Sequence, residues 1–246
     1  MDILKAEKLV RSYKTAGGEN VQVIRGIDLA VGQGEFAVIM GKSGCGKTTL
    51  LKMLGLINKQ TGGTLSFMGK DAGKIRGDAL AKLRLCRIGF IFQEFYLMDS
   101  LTVKENIMLP MILGKAGKER MEKETYGYAQ KFQIAHLLKK YPYELSGGEK
   151  QRTAICRALI NDPDLILADE PTGNLDSKSG RMVIDTLDMI NKDYEKTIVM
   201  VTHDLQMASF GSRILMLKDG RILDEMVRKG KREEFYQEIL GRMEEL

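Results

Sequence analysis

Tryptophan is absent from the 246 residues, aromatic residues make up only 7%, and the chain holds four prolines, three cysteines and two histidines. Each scarcity excludes something. Cys45, Cys86 and Cys156 form no CxxC pair and leave an odd count, which fits a reducing interior better than a disulfide framework. His136 and His203 have no cysteine pair nearby, so a structural zinc site is not expected. No apolar run approaches the roughly 18 residues that a spanning helix needs. The longest, Ile107 to Leu113, is interrupted by Pro110. Met1 to Lys8 lacks the apolar core and small-residue cleavage site of a secretory leader, so none is expected. With few aromatics and no Lys/Arg block interleaved with them, no nucleic-acid partner is expected either.

Hydrophobic residues make up 43% of the chain and charged residues 29%. With a mean hydropathy of −0.20, this is the mix of a globular protein of one compact domain, with room for a small appended lobe. The net charge of +5 suits polyanionic ligands such as nucleotides, or an anionic membrane surface, although an ordinary solvated surface also accounts for it.

Residues 1–40 read as β-rich. Ile3 to Val10, Gln22 to Ile27 and Phe36 to Met40 are short apolar or alternating runs separated by glycine-containing turns. Thr48 to Leu56 carries leucines at helical spacing, and Thr64 to Met68 is bracketed by glycines as a strand. Thr102 to Leu159 reads as mostly helical. Beyond it the strands Leu165 to Ala168, Thr197 to Val201 and Ile214 to Leu217 alternate with helices, notably Lys178 to Asn191. Such alternation predicts parallel strands joined by helical crossovers, with a helical lobe inserted into an α/β core.

Three segments carry chemistry. Gly41-Lys42-Ser43-Gly44-Cys45-Gly46-Lys47-Thr48 follows an apolar strand and opens a helix, and it matches G-x-x-x-x-G-K-[ST] at every fixed position. Its glycines let successive N–H groups converge on phosphate oxygens, aided by the positive helix end. Lys47 is placed to reach the β- and γ-phosphates, and the Thr48 hydroxyl to ligate Mg²⁺, with Thr49 next in the cradle. Cys45 reads as a small filler, although a helix N-terminus would favour its thiolate. Leu165 to Ala168 ends in Asp169 and Glu170. Asp169 is placed to hold Mg²⁺, and Glu170 to polarise the attacking water as general base. Leu145-Ser146-Gly147-Gly148-Glu149 offers a second anion-binding helix terminus, with Ser146 as its N-cap.

At this third segment the chain resembles the nucleotide-binding cassette of ABC transporters, whose signature begins LSGGQ; Glu149 stands where that pattern has Gln. The resemblance covers roughly residues 2 to 225. It implies a P-loop NTPase ABC cassette of the α/β class: a mixed-sheet core, an N-terminal antiparallel β subdomain and an inserted α-helical subdomain at about 94–160. It further implies that Gln93 is the Q-loop glutamine sensing Mg²⁺ and the attacking water. Asp176, in Gly173-Asn174-Leu175-Asp176, becomes the D-loop aspartate. His203 becomes the switch histidine at the γ-phosphate, and Tyr13 the aromatic that stacks on adenine. The catalytic set is then Glu170, His203, Gln93 and Lys47. The cofactors are ATP and Mg²⁺, with Thr48, Gln93 and Asp169 at the metal. A head-to-tail homodimer follows, in which Ser146, Gly147 and Gly148 of one copy close the ATP held at Gly41 to Thr48 of the other.

An ATPase without a spanning segment needs a membrane partner. The run Gly173 to Gly180, with Glu105-Asn106-Ile107-Met108-Leu109-Pro110, resembles the MacB-, LolD- and FtsE-like branch of the family, which also contains bacitracin-type peptide transporters. This implies an FtsX-like permease, a place on the cytoplasmic face of a bacterial plasma membrane, and antimicrobial-peptide export, detoxification or sensing. Lipoprotein release and FtsE-like cell division are the alternatives. A chromosome-maintenance ATPase is disfavoured because no coiled coil separates Lys47 from Asp169. A dead regulatory cassette is disfavoured because Lys47, Glu170 and His203 are all present. Most of the fifteen methionines, including Met53 and Met200, are expected as core fillers. Met98, Met108 and Met111 are candidates for an adaptable permease-docking surface. Residues 226–246 read as a charged helical docking tail, with Phe235, Ile239 and Leu246 as its apolar contacts.

Overall fold

The computed structural model describes every residue except Ala16, Glu245 and Leu246. It comprises two compact units, Met1–Arg76 with Glu195–Leu246, and Gly77–Tyr194.

In the first unit, β1 (Asp2–Lys14) pairs antiparallel with β2 (Asn20–Gly32) and with β4 (Gly62–Phe67), and β4 pairs with β5 (Lys70–Asp71). Ile3, Leu4, Ala6 and Leu9 of β1 and Ile24, Ile27, Leu29 and Val31 of β2 are buried, so one face of this sheet is core. A bulge distorts β1 near Lys8, whose φ is 48°. Only glycine fits opposite it, because a Cβ on Gly63 would stand 2.1 Å from the Lys8 carbonyl oxygen.

The second sheet of this unit centres on β3 (Phe36–Met40), every residue of which is buried, as an inner parallel strand requires. β3 runs parallel to β8 (Thr197–Thr202) on one side and β9 (Arg213–Lys218) on the other, and β10 (Arg221–Val227) runs antiparallel to β9. The helix after β3, α1 (Lys47–Leu54), buries Leu50, Leu51, Met53 and Leu54. It stops short of the expected Leu56, because Gly55 caps it and Leu56 itself adopts φ 58°. Met53 and Met200 are fully buried fillers, as expected.

The unit also holds the short helix α7 (Leu205–Ala208) and the longer α8 (Arg232–Glu244). The charged tail expected at 226–246 begins as the end of β10, at Met226 and Val227, and is helical only from Arg232 to Glu244. Phe235 and Ile239 are buried, Arg232 lies over the Phe210 ring at 4.4 Å, and Arg242 pairs with Asp224 at 3.2 Å. Leu246 lies outside the described residues.

The second unit holds α2 (Gly77–Arg87), β6 (Ile88–Phe92), α3 (Val103–Leu113), α4 (Lys118–Lys131), α5 (Gly147–Leu159), β7 (Leu165–Asp169) and α6 (Ser177–Asp193). Neither α2 nor β6 is among the elements expected from periodicity. α2 buries none of its residues and so shows no apolar stripe, and β6 is interrupted by Gly89, where a Cβ would meet the Ala158 carbonyl at 2.6 Å. β6 and β7 are parallel, in register from Ile88 opposite Leu165 to Phe92 opposite Asp169.

α3 starts from a capping box between Thr102 and Glu105. It buries Met108 and leaves Met111 only 1% exposed, so these two are core residues and only Met98, 47% exposed, remains at a surface. The correction has a simple cause: Met108 and Met111 stand three apart with Ile107 and Val103 on the buried face of α3. Asn106 is also fully buried. Its amide donates to the carbonyls of Met98 (3.1 Å), Leu101 (3.0 Å) and Thr102 (3.1 Å) and accepts from the Met98 N–H (2.8 Å). Asn106→Ala strands those groups and should cost about 2–3 kcal/mol, read as a lowered urea midpoint with the helical circular dichroism of the native state retained.

Candidate nucleotide site

The loop between β3 and α1 is built to receive an anion. Gly46, at φ 107°, is the N-cap of α1 and offers no side-chain oxygen to the first helical N–H groups, and the first turn of α1 holds no acidic residue. Those N–H groups and the helix dipole are therefore not neutralised by a cap. The Lys47 ammonium is buried and donates to the carbonyls of Gly41 (2.9 Å) and Lys42 (3.2 Å), which curls the loop around it. The loop is braced from the β9–β10 turn by a bond from the Gly220 N–H to the Cys45 carbonyl at 3.1 Å. Ser43, Gly44 and Thr48 are exposed, and Gly41, Cys45, Gly46 and Thr49 are half-buried. Burial pushes the Cys45 thiol up, against the pull of the Lys47 charge, which supports the filler reading over a reactive thiolate.

His203 leaves the same sheet edge as this loop. Met40 and Thr202 are register partners, so Gly41 and His203 each follow one of two adjacent parallel strands. His203 is exposed and flanked by two anchored neighbours. The Asp204 N–H donates to the Thr202 hydroxyl at 3.0 Å, and the Asp204 carboxylate caps α7 by accepting from Gln206 and Met207. Tyr13 sits near the end of β1, 37% exposed, with the Arg11 guanidinium 4.4 Å from its ring centre and its hydroxyl accepting from Asn58 at 3.1 Å.

In the second unit the register of β6 and β7 decides what meets. With Phe92 opposite Asp169, Gln93 and Glu170 emerge side by side at the carboxyl ends of two parallel strands. Asp169 is buried at the strand end, and Glu170 turns the chain sharply at φ 48°. The turn is closed by a bond from the Gly173 N–H to the Glu170 carbonyl at 3.0 Å. A strained backbone at a non-glycine residue is typical of a site where position matters more than local stability.

Ser146 is the N-cap of α5, as expected. Its hydroxyl accepts from the Glu149 N–H at 3.4 Å, and the Glu149 carboxylate accepts from the Ser146 N–H (2.8 Å) and hydroxyl (2.7 Å). This capping box gives the Gln-to-Glu departure a physical reason, since either side chain closes it. The Ser146 hydroxyl holds Glu149 below the usual carboxylate range. Gly147 and Gly148 pack closely against the chain at 174–179. A Cβ on Gly147 would lie 3.0 Å from Leu175, and one on Gly148 3.0 Å from the Ser179 hydroxyl. Asp176 caps α6, accepting from the N–H groups of Lys178 and Ser179, both at 3.0 Å, and from the Ser179 hydroxyl at 2.6 Å.

Two features escaped motif reading. Asn174 bonds Gln93, and its only sequence signal is its place inside the GNLD run. Arg157 is half-buried on α5, donating to the carbonyls of Phe95 (2.6 Å) and Tyr96, both left-handed residues. Burial pulls its guanidinium down to about 10. It lines a cavity of about 450 Å³ with Arg84, Phe92, Tyr96 and Pro110. No helix among the described residues is long and apolar enough to cross a membrane, and no cluster of three or more His, Cys, Asp or Glu side chains among them could hold a metal.

The loop's tolerance is testable. A Cβ on Gly41 would stand 2.1 Å from the Leu217 carbonyl oxygen and 2.8 Å from the Cys45 sulfur. Gly41→Ala should weaken ATP binding by about tenfold or more, through displaced loop amides, in a fluorescent-nucleotide titration.

Residues 24–173 match the family model described as ABC transporter. The chain is 46% identical over 241 residues to the uncharacterized ABC transporter ATP-binding protein YvcR of Bacillus subtilis, covering 98% of this chain and 93% of that protein. It is 43% identical to the bacitracin export ATP-binding protein BceA of Halalkalibacterium halodurans, covering 98% and 95%. Its fold superposes with a TM-score of 0.86, at 38% identity, on the dimeric post-hydrolysis structure of the cassette MJ0796 of Methanocaldococcus jannaschii bound to ADP and Pi, covering 93% of this chain and all of that one. The expected fold class stands, and the chain belongs to the ABC transporter family as one of its ATP-hydrolysing cassettes.

Proposed function

We propose that this chain is the ATPase subunit of a transporter that handles antimicrobial peptides, working as a homodimer on an FtsX-like permease at the cytoplasmic face of a bacterial plasma membrane. The observation that carries nucleotide binding is the start of α1, which has no side-chain cap and no acid in its first turn, with Lys47 buried there. The similarity to BceA over nearly the whole of both chains supports the peptide cargo.

In this reading Gly41, Ser43, Gly44, Cys45, Gly46, Lys47, Thr48 and Thr49 hold the ATP phosphates, and Tyr13 packs on the adenine. Thr48, Gln93 and Asp169 supply oxygen donors only, a set that suits Mg²⁺ and not a thiophilic metal. Bound there, the ion would neutralise charge on the β- and γ-phosphate oxygens. Glu170 takes the proton of the attacking water, His203 holds the γ-phosphate, and Gln93 orients the water. Ser146, Gly147 and Gly148 of the second copy close over the nucleotide, and Asp176 holds the start of α6 beside those glycines. In domain terms, residues 1–225 form the cassette, with its helical subdomain at about 94–160, and residues 226–246 its C-terminal tail, which contains α8. The cavity beside Arg157 and Tyr96 receives a cytoplasmic helix of the permease.

Glu170→Gln should lower kcat by about 10²–10⁴-fold while retaining ATP binding. It should also elute as a dimer with ATP and Mg²⁺ in size-exclusion chromatography; a monomer at saturating nucleotide overturns the dimer. Tyr96 is 61% exposed. Tyr96→Asp, like Met98→Asp, should leave the isolated cassette's ATPase rate near wild type and abolish its stimulation by permease in proteoliposomes.

A further inference from the structure

We infer that Asn174 is a positioning residue for Gln93, acting by fixing which end of the Gln93 amide is available to the nucleotide. The inference rests on the reading of Gln93 as part of the hydrolytic site.

An amide side chain has a donor end and an acceptor end, and only the oxygen can ligate Mg²⁺ or accept from water. The Gln93 Nε2 donates to Asn174 Oδ1 at 3.0 Å, so the donor end is engaged and Oε1 is the end left to serve the site. Turning the amide over would bring two acceptor oxygens face to face. Asn174 is itself held against turning. Its Nδ2 donates to the Gln93 carbonyl at 3.2 Å and to Glu94 Oε1 at 3.1 Å, and reversal would set its oxygen against both acceptors. One asparagine thus reads the backbone and side chain of Gln93 and the carboxylate of Glu94 together.

The neighbouring residue makes the seat. A Cβ on Gly173 would lie 2.8 Å from Gln93 Nε2 and 3.0 Å from its Cδ, so the Gln93 amide rests on bare backbone there. The seat is fixed at both ends, by the Gly173 to Glu170 turn on one side and by the Asp176 cap of α6 on the other. Glu170 and Gln93 are in this way tied to one loop, and a displaced Asn174 would free the Gln93 amide without removing any phosphate contact.

The test compares Asn174→Ala, Asn174→Asp, the double variant Asn174→Asp/Glu94→Gln, and Gln93→Ala in the full chain. Asn174→Ala should lose about tenfold in kcat, the size of one oriented hydrogen bond, with KM for ATP unchanged. Fluorescent ATP binding in EDTA should be unaltered, and Mn²⁺ binding to the ADP-loaded protein, followed by electron spin resonance, should weaken severalfold. Asn174→Asp should be worse than Asn174→Ala, because the new carboxylate faces Glu94 and the Gln93 carbonyl. Adding Glu94→Gln should restore most of that loss by returning a donor to the contact. Wild-type kcat and Mn²⁺ binding in Asn174→Ala overturn the inference, as does nucleotide binding in EDTA that falls in step with kcat, or a double variant no better than Asn174→Asp. If Gln93→Ala itself hydrolyses ATP at the wild-type rate, the reading of Gln93 fails first; if it is slow while Asn174→Ala is not, only the role of Asn174 fails.

Discussion

The parallel register of β6 and β7 is the constraint on which the second unit's chemistry depends. Pairing Phe92 with Asp169 delivers Gln93 and Glu170 to the same edge, from which both chains turn into loops. A slip of one residue would reverse every side chain on the shifted strand, and Gly89 pins the position of β6, because a side chain in its place would meet the Ala158 carbonyl at 2.6 Å. The strain at Glu170 is tolerable because the strand before it and the Gly173 turn after it are both fixed.

The two helix starts with phosphate-binding sequences differ in their electrostatics. α1 begins at a glycine and carries no side-chain cap and no acid in its first turn, which leaves its positive end unscreened by either. α5 begins at Ser146 and carries Glu149, whose carboxylate takes the Ser146 N–H and hydroxyl. The first terminus has the electrostatics of an anion site. The second is a rigid, partly neutralised cap whose close-packed glycines present a flat backbone surface.

Much was legible from residue order. The fully apolar Phe36–Met40, the glycine spacing after it, and the strand Leu165–Ala168 running into Asp169 and Glu170 name their own structures, because each is a local pattern whose period or chirality admits few alternatives. The misplacements have equally local causes. Met108 and Met111 looked like a docking surface because methionine serves in cores and at adaptable interfaces alike, and only the packing of α3 shows which side of the helix is covered. Phe235 and Ile239 looked like contacts awaiting a partner, and they are buried within this chain instead.

The sequence by itself determined the phosphate loop, the acidic strand end, the capped signature helix and the family they belong to, since these depend on glycine conformation, side-chain length and short-range hydrogen bonds. Only the tertiary structure decided that Asn174 lies against Gln93, 81 positions earlier, and that Arg157 grips the carbonyls of Phe95 and Tyr96. Contacts of that range depend on how strands pair and how α5 packs, and no spacing rule along the chain encodes them.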